Sequence, residues 1–248
     1  FSALALGMGL ALLLLMAAVI SGEVRDSMDL SIRLQSGHLQ VRSKTFDQEK
    51  NSLAREDLVA APEQLAAQIA ALEPVQAATP RLFASGIVTA GEDTAGVSIM
   101  GIDPASEANA PYSGGLVDGS YLTAGDREGV LMGKSLAEKL NLQAGDQILL
   151  LVNTANGDVD EQPFVIRGTF ATGSPFYDQS TLLMPLAKAQ TITRAEGYAS
   201  TVFVLLKDTQ QTETVAAALQ SGQYEVVPWQ EMNALLTQVQ DMSSSFMV

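Results

Sequence analysis

The sequence predicts an α+β protein: a split strand–helix–strand domain carrying an inserted, mostly β subdomain and flanked by membrane-spanning or stalk helices. Three observations carry this prediction. The first twenty residues, FSALALGMGLALLLLMAAVI, contain no charge. Strand–helix–strand patterns occur twice, before about residue 103 and after about residue 198. Between them lies a segment of short apolar runs separated by glycine-rich turns, the texture of a β subdomain.

Taken in order, Phe1–Ile20 has the length to cross the ~30 Å apolar core of a bilayer as a helix at ~1.5 Å per residue. In lipid the backbone must satisfy its own hydrogen bonds, so this stretch is expected to be helical. The segment assigned to the membrane is 1–22, followed by a stalk over 23–36 whose apolar stripe is Val24, Met28 and Ile32. Gly37 suits the end of that helix. His38–Arg42 alternates as a strand does, and 43–58 is polar and loop-like. Ala61-Pro62-Glu63 opens a helix with Leu65, Ile69 and Leu72 on one face. Strands follow at 79–89 and 95–102.

The inserted segment spans 104–197. It contains Gly129–Met132, a short helix with Leu136 and Leu140, and a strand over 147–153. Asn156-Gly157 predicts a type I′ hairpin turn leading into Phe164–Arg167, since both residues tolerate positive φ. A strand at 201–206, a helix with Val215 and Leu219, and a strand at 224–227 complete the split domain over 198–228. From Trp229 to Val248 a helix with Met232, Leu235, Leu236, Val239, Met242 and Phe246 on one face leads toward a second span. The chain begins at Phe1 rather than Met and stops inside that helix, so it reads as a piece of a longer protein.

Composition narrows the function. The net charge of −14 excludes a nucleic-acid partner, which needs a basic patch for the phosphate backbone. The absence of cysteine excludes disulfides, thiolate catalysis and Cys-based metal sites. His38 is the single histidine, so H-E-x-x-H zinc sites are excluded and His38 reads as a strand-end residue. Gly133-Lys134-Ser135 ends like a phosphate-binding loop, but Glu128 stands where the required earlier glycine belongs, so these residues read as the start of a helix. Asp158, Asp160 and Glu161 lack calcium-loop spacing and read as a solvated hairpin tip. Trp229 fits a membrane interface or burial at the foot of the domain. No constellation supports an enzyme, and no catalytic, cofactor-binding or metal residue is assigned.

Particular strings resemble the extracytoplasmic core of FtsX-like ABC transporter permeases, the MacB and LolC/LolE group. They are Ser36-Gly-His-Leu-Gln-Val41, Val130-Leu-Met-Gly-Lys-Ser-Leu-Ala137 running on to Asn141–Asp146, Phe164–Phe170 and Leu183–Gln190. The resemblance implies a "porter" part at 37–103 plus 198–228 and an inserted "Sabre" part at 104–197. It implies a bacterial inner-membrane protein with this domain in the periplasm and no cofactor of its own. Its partners would be a cytoplasmic ABC ATPase subunit, a second permease subunit in a homo- or heterodimer, and membrane lipid. The work implied is coupling of ATP hydrolysis to movement or release of a lipoprotein, lipid or peptide. Lipoprotein-releasing members carry a longer projecting hook near 152–163 that meets a periplasmic carrier or outer partner; here a short Asn-Gly hairpin stands there. The competing reading is a ligand-sensing domain of a membrane receptor or kinase, which also sits between two spans. A membrane-anchored hydrolase is the third.

Overall fold

The computed structural model describes residues 2–47, 50–220 and 222–232. Helix α1 runs unbroken over Ser2–Ser31, joining most of the segments expected at 1–22 and 23–36. It widens into a π-helical turn over Ile32–Ser36. Among the described residues no helix is long and apolar enough to cross a membrane, so the span expected at 1–22 rests on the sequence alone.

After the turn come β1 (Leu39–Ser43), the short β2 (Val59–Ala60) and α2 (Pro62–Ala70). Helix α2 begins with Pro62, whose fixed φ and missing N–H suit a helix start, and buries Ala66 and Ile69 on one face. Strands β3 (Val75–Ala90) and β4 (Asp93–Ile102) form a hairpin. The inserted segment holds α3 (Ala110–Gly114), β5 (Leu116–Gly119), β6 (Gly129–Gly133) and α4 (Lys134–Lys139). It continues with β7 (Gln147–Asn153), β8 (Val159–Phe170), α5 (Pro175–Asp178), β9 (Thr181–Pro185) and α6 (Leu186–Thr193). The return passes through β10 (Tyr198–Ala199), β11 (Thr201–Leu206), α7 (Thr212–Leu219), β12 (Tyr224–Pro228) and the first turn of α8 (Trp229–Met232). The rest of the helix expected over 229–248 lies outside the described residues.

Two bodies share one strand. The first half of β3 completes an antiparallel sheet ordered β12-β1-β11-β3. Its core includes Leu39, Val41, Val202, Val204 and Val226, with Ile69 of α2 and Val215 of α7 packed in. The second half of β3 pairs with β4 and, over Gly86–Thr89, also with β7. Strand β7 pairs β8, β8 pairs β6, β6 pairs β9 and β9 pairs β4, so these strands close a barrel. Closure removes the free edges that an open sheet would leave. Leu82, Val97, Val130, Leu150, Ile166 and Leu182 belong to the core of this barrel. The inserted segment therefore does not close the barrel alone; β3 and β4 come from the 37–103 part. The packing seam between sheet and barrel lies inside β3, where its pairing changes from β11 to β4.

One turn differs from expectation. Only Gly157 of the Asn-Gly pair has positive φ (82°), and Asn156 does not. The Thr154 carbonyl accepts from Gly157 N at 2.9 Å, so 154–157 is an ordinary turn followed by a left-handed glycine rather than type I′. Ala155 N donates to the Thr193 carbonyl at the end of α6, tying the loop to that helix.

Candidate functional site: the junction of the stalk with the barrel

The last turns of α1 are where the stalk meets the folded body. Met28, Ile32 and Leu34 are buried there. A helix leaves its final carbonyls without partners, and these must be satisfied from outside. At this end the carbonyls of Ile32, Leu34 and Gln35 are each met by a specific group. Gly37 N donates to the Ile32 carbonyl at 2.8 Å, closing the wide π turn. Gln40 Nε2 donates to the Gln35 carbonyl at 2.9 Å. The Leu34 carbonyl accepts twice, from Arg81 Nη1 at 2.5 Å and from the Tyr112 hydroxyl at 2.9 Å.

Arg81 comes from the middle of β3 and is fully buried. Its Nη2 donates to Asn109 Oδ1 at 2.9 Å. The guanidinium carbon lies 3.6 Å from the centre of the Phe203 ring and 5.9 Å from that of Tyr112. Among the described residues no carboxylate forms an ion pair with it. Burial pulls its pKa down, while guanidinium nonetheless stays protonated in proteins. The charge is accommodated by the carbonyl end of α1, where the helix dipole is negative, and by an aromatic face.

Three tyrosines surround this contact. Since the Tyr112 hydroxyl spends its proton on Leu34, the Tyr177 hydroxyl 2.8 Å away is the donor to Tyr112. Burial raises the Tyr112 pKa and lifts that of Tyr177 well above its ordinary value. Burial likewise pushes the Tyr121 hydroxyl up to about 12. All three stay neutral in the physiological range. The wall behind them is apolar, with Met100, Ile102, Leu131, Phe170 and Leu183. The stalk therefore ends on a socket where sheet and barrel meet, with Arg81 and Phe203 on the β3–β11 pair and the apolar wall on the barrel.

His38 sits one residue beyond Gly37, where a strand-end residue was expected. Its Nδ1 accepts from Leu206 N at 2.8 Å, and its carbonyl accepts from Trp229 N at 3.1 Å. Burial lowers the imidazole pKa, so the ring is neutral with its proton on Nε2. Because Leu39 pairs with Pro228, helix α8 starts beside the end of the stalk. The two helical connections thus leave the body side by side.

The other weighed residues lie elsewhere. A Cβ at Gly133 would collide with the Asp178 carbonyl, so this glycine serves chain packing at the start of α4. Lys134 pairs loosely with Glu138 on the same helix at 3.7 Å. Asp158 pairs with Arg194 at 2.7 Å, and Asp160 accepts from Gln162 Nε2 at 3.0 Å, while Glu161 stays exposed on β8. Among the described residues no cluster of acids and histidine could hold a metal ion. Sequence reading missed Arg81, Tyr112 and Tyr177. The available signal was a lone charge inside the apolar run of β3.

Comparison with known proteins adds family and fold. The model of the family described as the MacB-like periplasmic core domain matches residues 1–221. The periplasmic region of MacB from Actinobacillus actinomycetemcomitans superposes with a TM-score of 0.56 at 15% identity, covering 85% of this chain and 98% of that one. The extracellular domain of the noncanonic ABC-type transporter YknZ from Gram-positive bacteria gives 0.53 at 16% identity, covering 76% and 99%. No curated protein matches the chain.

Proposed function

The chain belongs to the family of MacB-like periplasmic core domains, the extracytoplasmic part of MacB-like ABC transporter permeases, and from that premise we propose that it works as a mechanical transmission. In this reading 1–22 spans the bacterial inner membrane, and the 229–248 helix approaches it again beside the first. A cytoplasmic ABC ATPase subunit, a separate polypeptide, hydrolyses ATP. A second permease subunit completes the transporter, and the domain contributes no catalytic residue. Displacement of the stalk moves the extracytoplasmic body, which guides an amphipathic cargo such as a lipoprotein, lipid or peptide.

The observation that supports this most directly is the double capture of the Leu34 carbonyl by Arg81 and Tyr112. A tether needs no such socket, whereas a lever must be fixed to what it moves. The test is Met28→Pro in the intact protein, reconstituted with its ATPase in proteoliposomes. Pro inside a helix costs ~3 kcal/mol and breaks the backbone ladder, so it interrupts the lever just before the socket. ATP-driven movement is followed for a triacylated lipoprotein, a labelled phospholipid and a cationic peptide in parallel. The expected result is at least tenfold loss of movement with the periplasmic body still folded by its melting transition. Undiminished movement would reduce the stalk to a tether.

A further inference from the structure

A cleft of about 380 Å³ opens between α2 and the start of α6, and touches the stalk socket only through Ile102 and the Asp103–Asn109 bond. Strands β4 and β9 run parallel and end side by side, with Ile102 opposite Pro185, so both carboxyl ends open onto it. Its walls are mainly small and apolar, with Ala66 and Ala67 on one side and Leu186 and Ala187 on the other.

The polar groups at this cleft share a chemistry. Glu63 and Asp103 line it, and no lysine or arginine does. Neither carboxylate has an ion-pair partner among the described residues. Glu63 Oε1 takes only a long 3.4 Å contact from Gln190 Nε2, and Gln190 is itself held by the Tyr198 carbonyl at 2.9 Å. One Asp103 oxygen accepts from Ala105 N at 3.0 Å. The nearest cation on α6, Lys188, is drawn off to Gln162 at 2.7 Å, and Arg127 lines a neighbouring depression. Thr79 also lines the cleft; it is 1% exposed, and its hydroxyl has no partner among the described residues. A buried polar group of that kind calls for a hydrogen-bonding occupant.

The two walls belong to different bodies. Ala66 of α2 packs in the core of the β12-β1-β11-β3 sheet, and Leu186 of α6 packs in the barrel core. We propose that the cleft binds a small ammonium compound with an apolar body, its charge shared by Glu63 and Asp103, its body against the alanine walls, and a polar atom meeting Thr79. Such a ligand ties α2 to α6 and stiffens the seam between sheet and barrel. This site is independent of which cargo is moved and of whether the stalk is a lever.

The probe is 4-fluorobenzylamine, followed by fluorine line broadening against the intact protein in lipid nanodiscs at pH 7. Saturable broadening is expected, with 4-fluorobenzyl alcohol, which lacks the charge, about tenfold weaker. The double variant Glu63→Gln/Asp103→Asn, confined to groups at the cleft surface, is expected to weaken the amine about tenfold without lowering the melting temperature. Ala187→Trp, placed on the exposed wall, abolishes binding by filling the cleft. The proposal is overturned if wild type shows no saturable broadening, if amine and alcohol bind equally, or if either variant binds as wild type does.

Discussion

Arg81 is held by carbonyls and rings rather than by a carboxylate. Removing a charge from water costs several kcal/mol, and a site accepts it only where good geometry compensates. Here the compensation comes from Leu34 and Asn109 together with the face of Phe203. One consequence is that the socket is available only when the stalk occupies it: withdraw Leu34 and a buried cation loses its shortest partner. His38 adds a pH dependence on the other side of the same junction. Burial depresses its folded pKa below the 6.5 of the unfolded chain, so the unfolded state binds the proton more readily. The stability due to neutral His38 is complete above about pH 6.5 and is lost as pH falls from there through the folded pKa. Thermal melts between pH 7.5 and 5 are expected to fall less steeply for His38→Gln, whose amide oxygen can still accept from Leu206 N. Equal slopes would show that His38 does not titrate across folding.

At the scale of elements, Gly37 and β3 do the joining. Gly37 has φ +64°, and an added Cβ would lie 2.8 Å from the Val204 carbonyl. A side chain there meets both left-handed strain and a backbone clash, so Gly37→Ala is expected to cost about 2 kcal/mol or more in urea unfolding. A change below ~0.5 kcal/mol would mean that the chain turns there by another route. Strand β3 shows how much of the fold was legible. The strands expected at 79–89 and 95–102 fall within β3 and its partner β4, because strand patterning is a local signal. Its double role was not legible: one strand pairing β11 in its first half and β4 and β7 in its second is decided by contacts far apart in sequence. The Asn-Gly loop was legible only in part: Gly157 takes the positive φ, while the bond from Ala155 N to the Thr193 carbonyl joins residues far apart in sequence. Helix α6 likewise went unread as a helix from periodicity alone, being short and buried on two sides, with Leu186, Ala189, Gln190 and Ile192 all buried. As for the socket, aromatic and charged residues at 81, 112 and 177 carry no spacing that announces their meeting.

At the scale of the whole molecule, the stalk, the barrel and the outer sheet meet at one place. Strand β1 follows the stalk directly and pairs with β12, which leads into α8, so both helical connections are anchored to one sheet edge. The Leu34 socket adds the barrel to the same anchor. In the proposed transmission, stalk and barrel therefore move as one rigid piece. The sequence contains no cysteine, so Arg33→Cys on the stalk and Thr94→Cys on the barrel, both exposed positions, can be spin-labelled specifically. The decisive measurement is the distance distribution between these labels in the intact protein in nanodiscs, with and without ATP on the proposed ATPase subunit, compared with the same pair carrying Arg81→Met. The expected result is a narrow distribution at an unchanged distance in both nucleotide states, and a broadened one once Arg81 is replaced. A broad distribution in the wild-type background, or a narrow one that survives Arg81→Met, would contradict it.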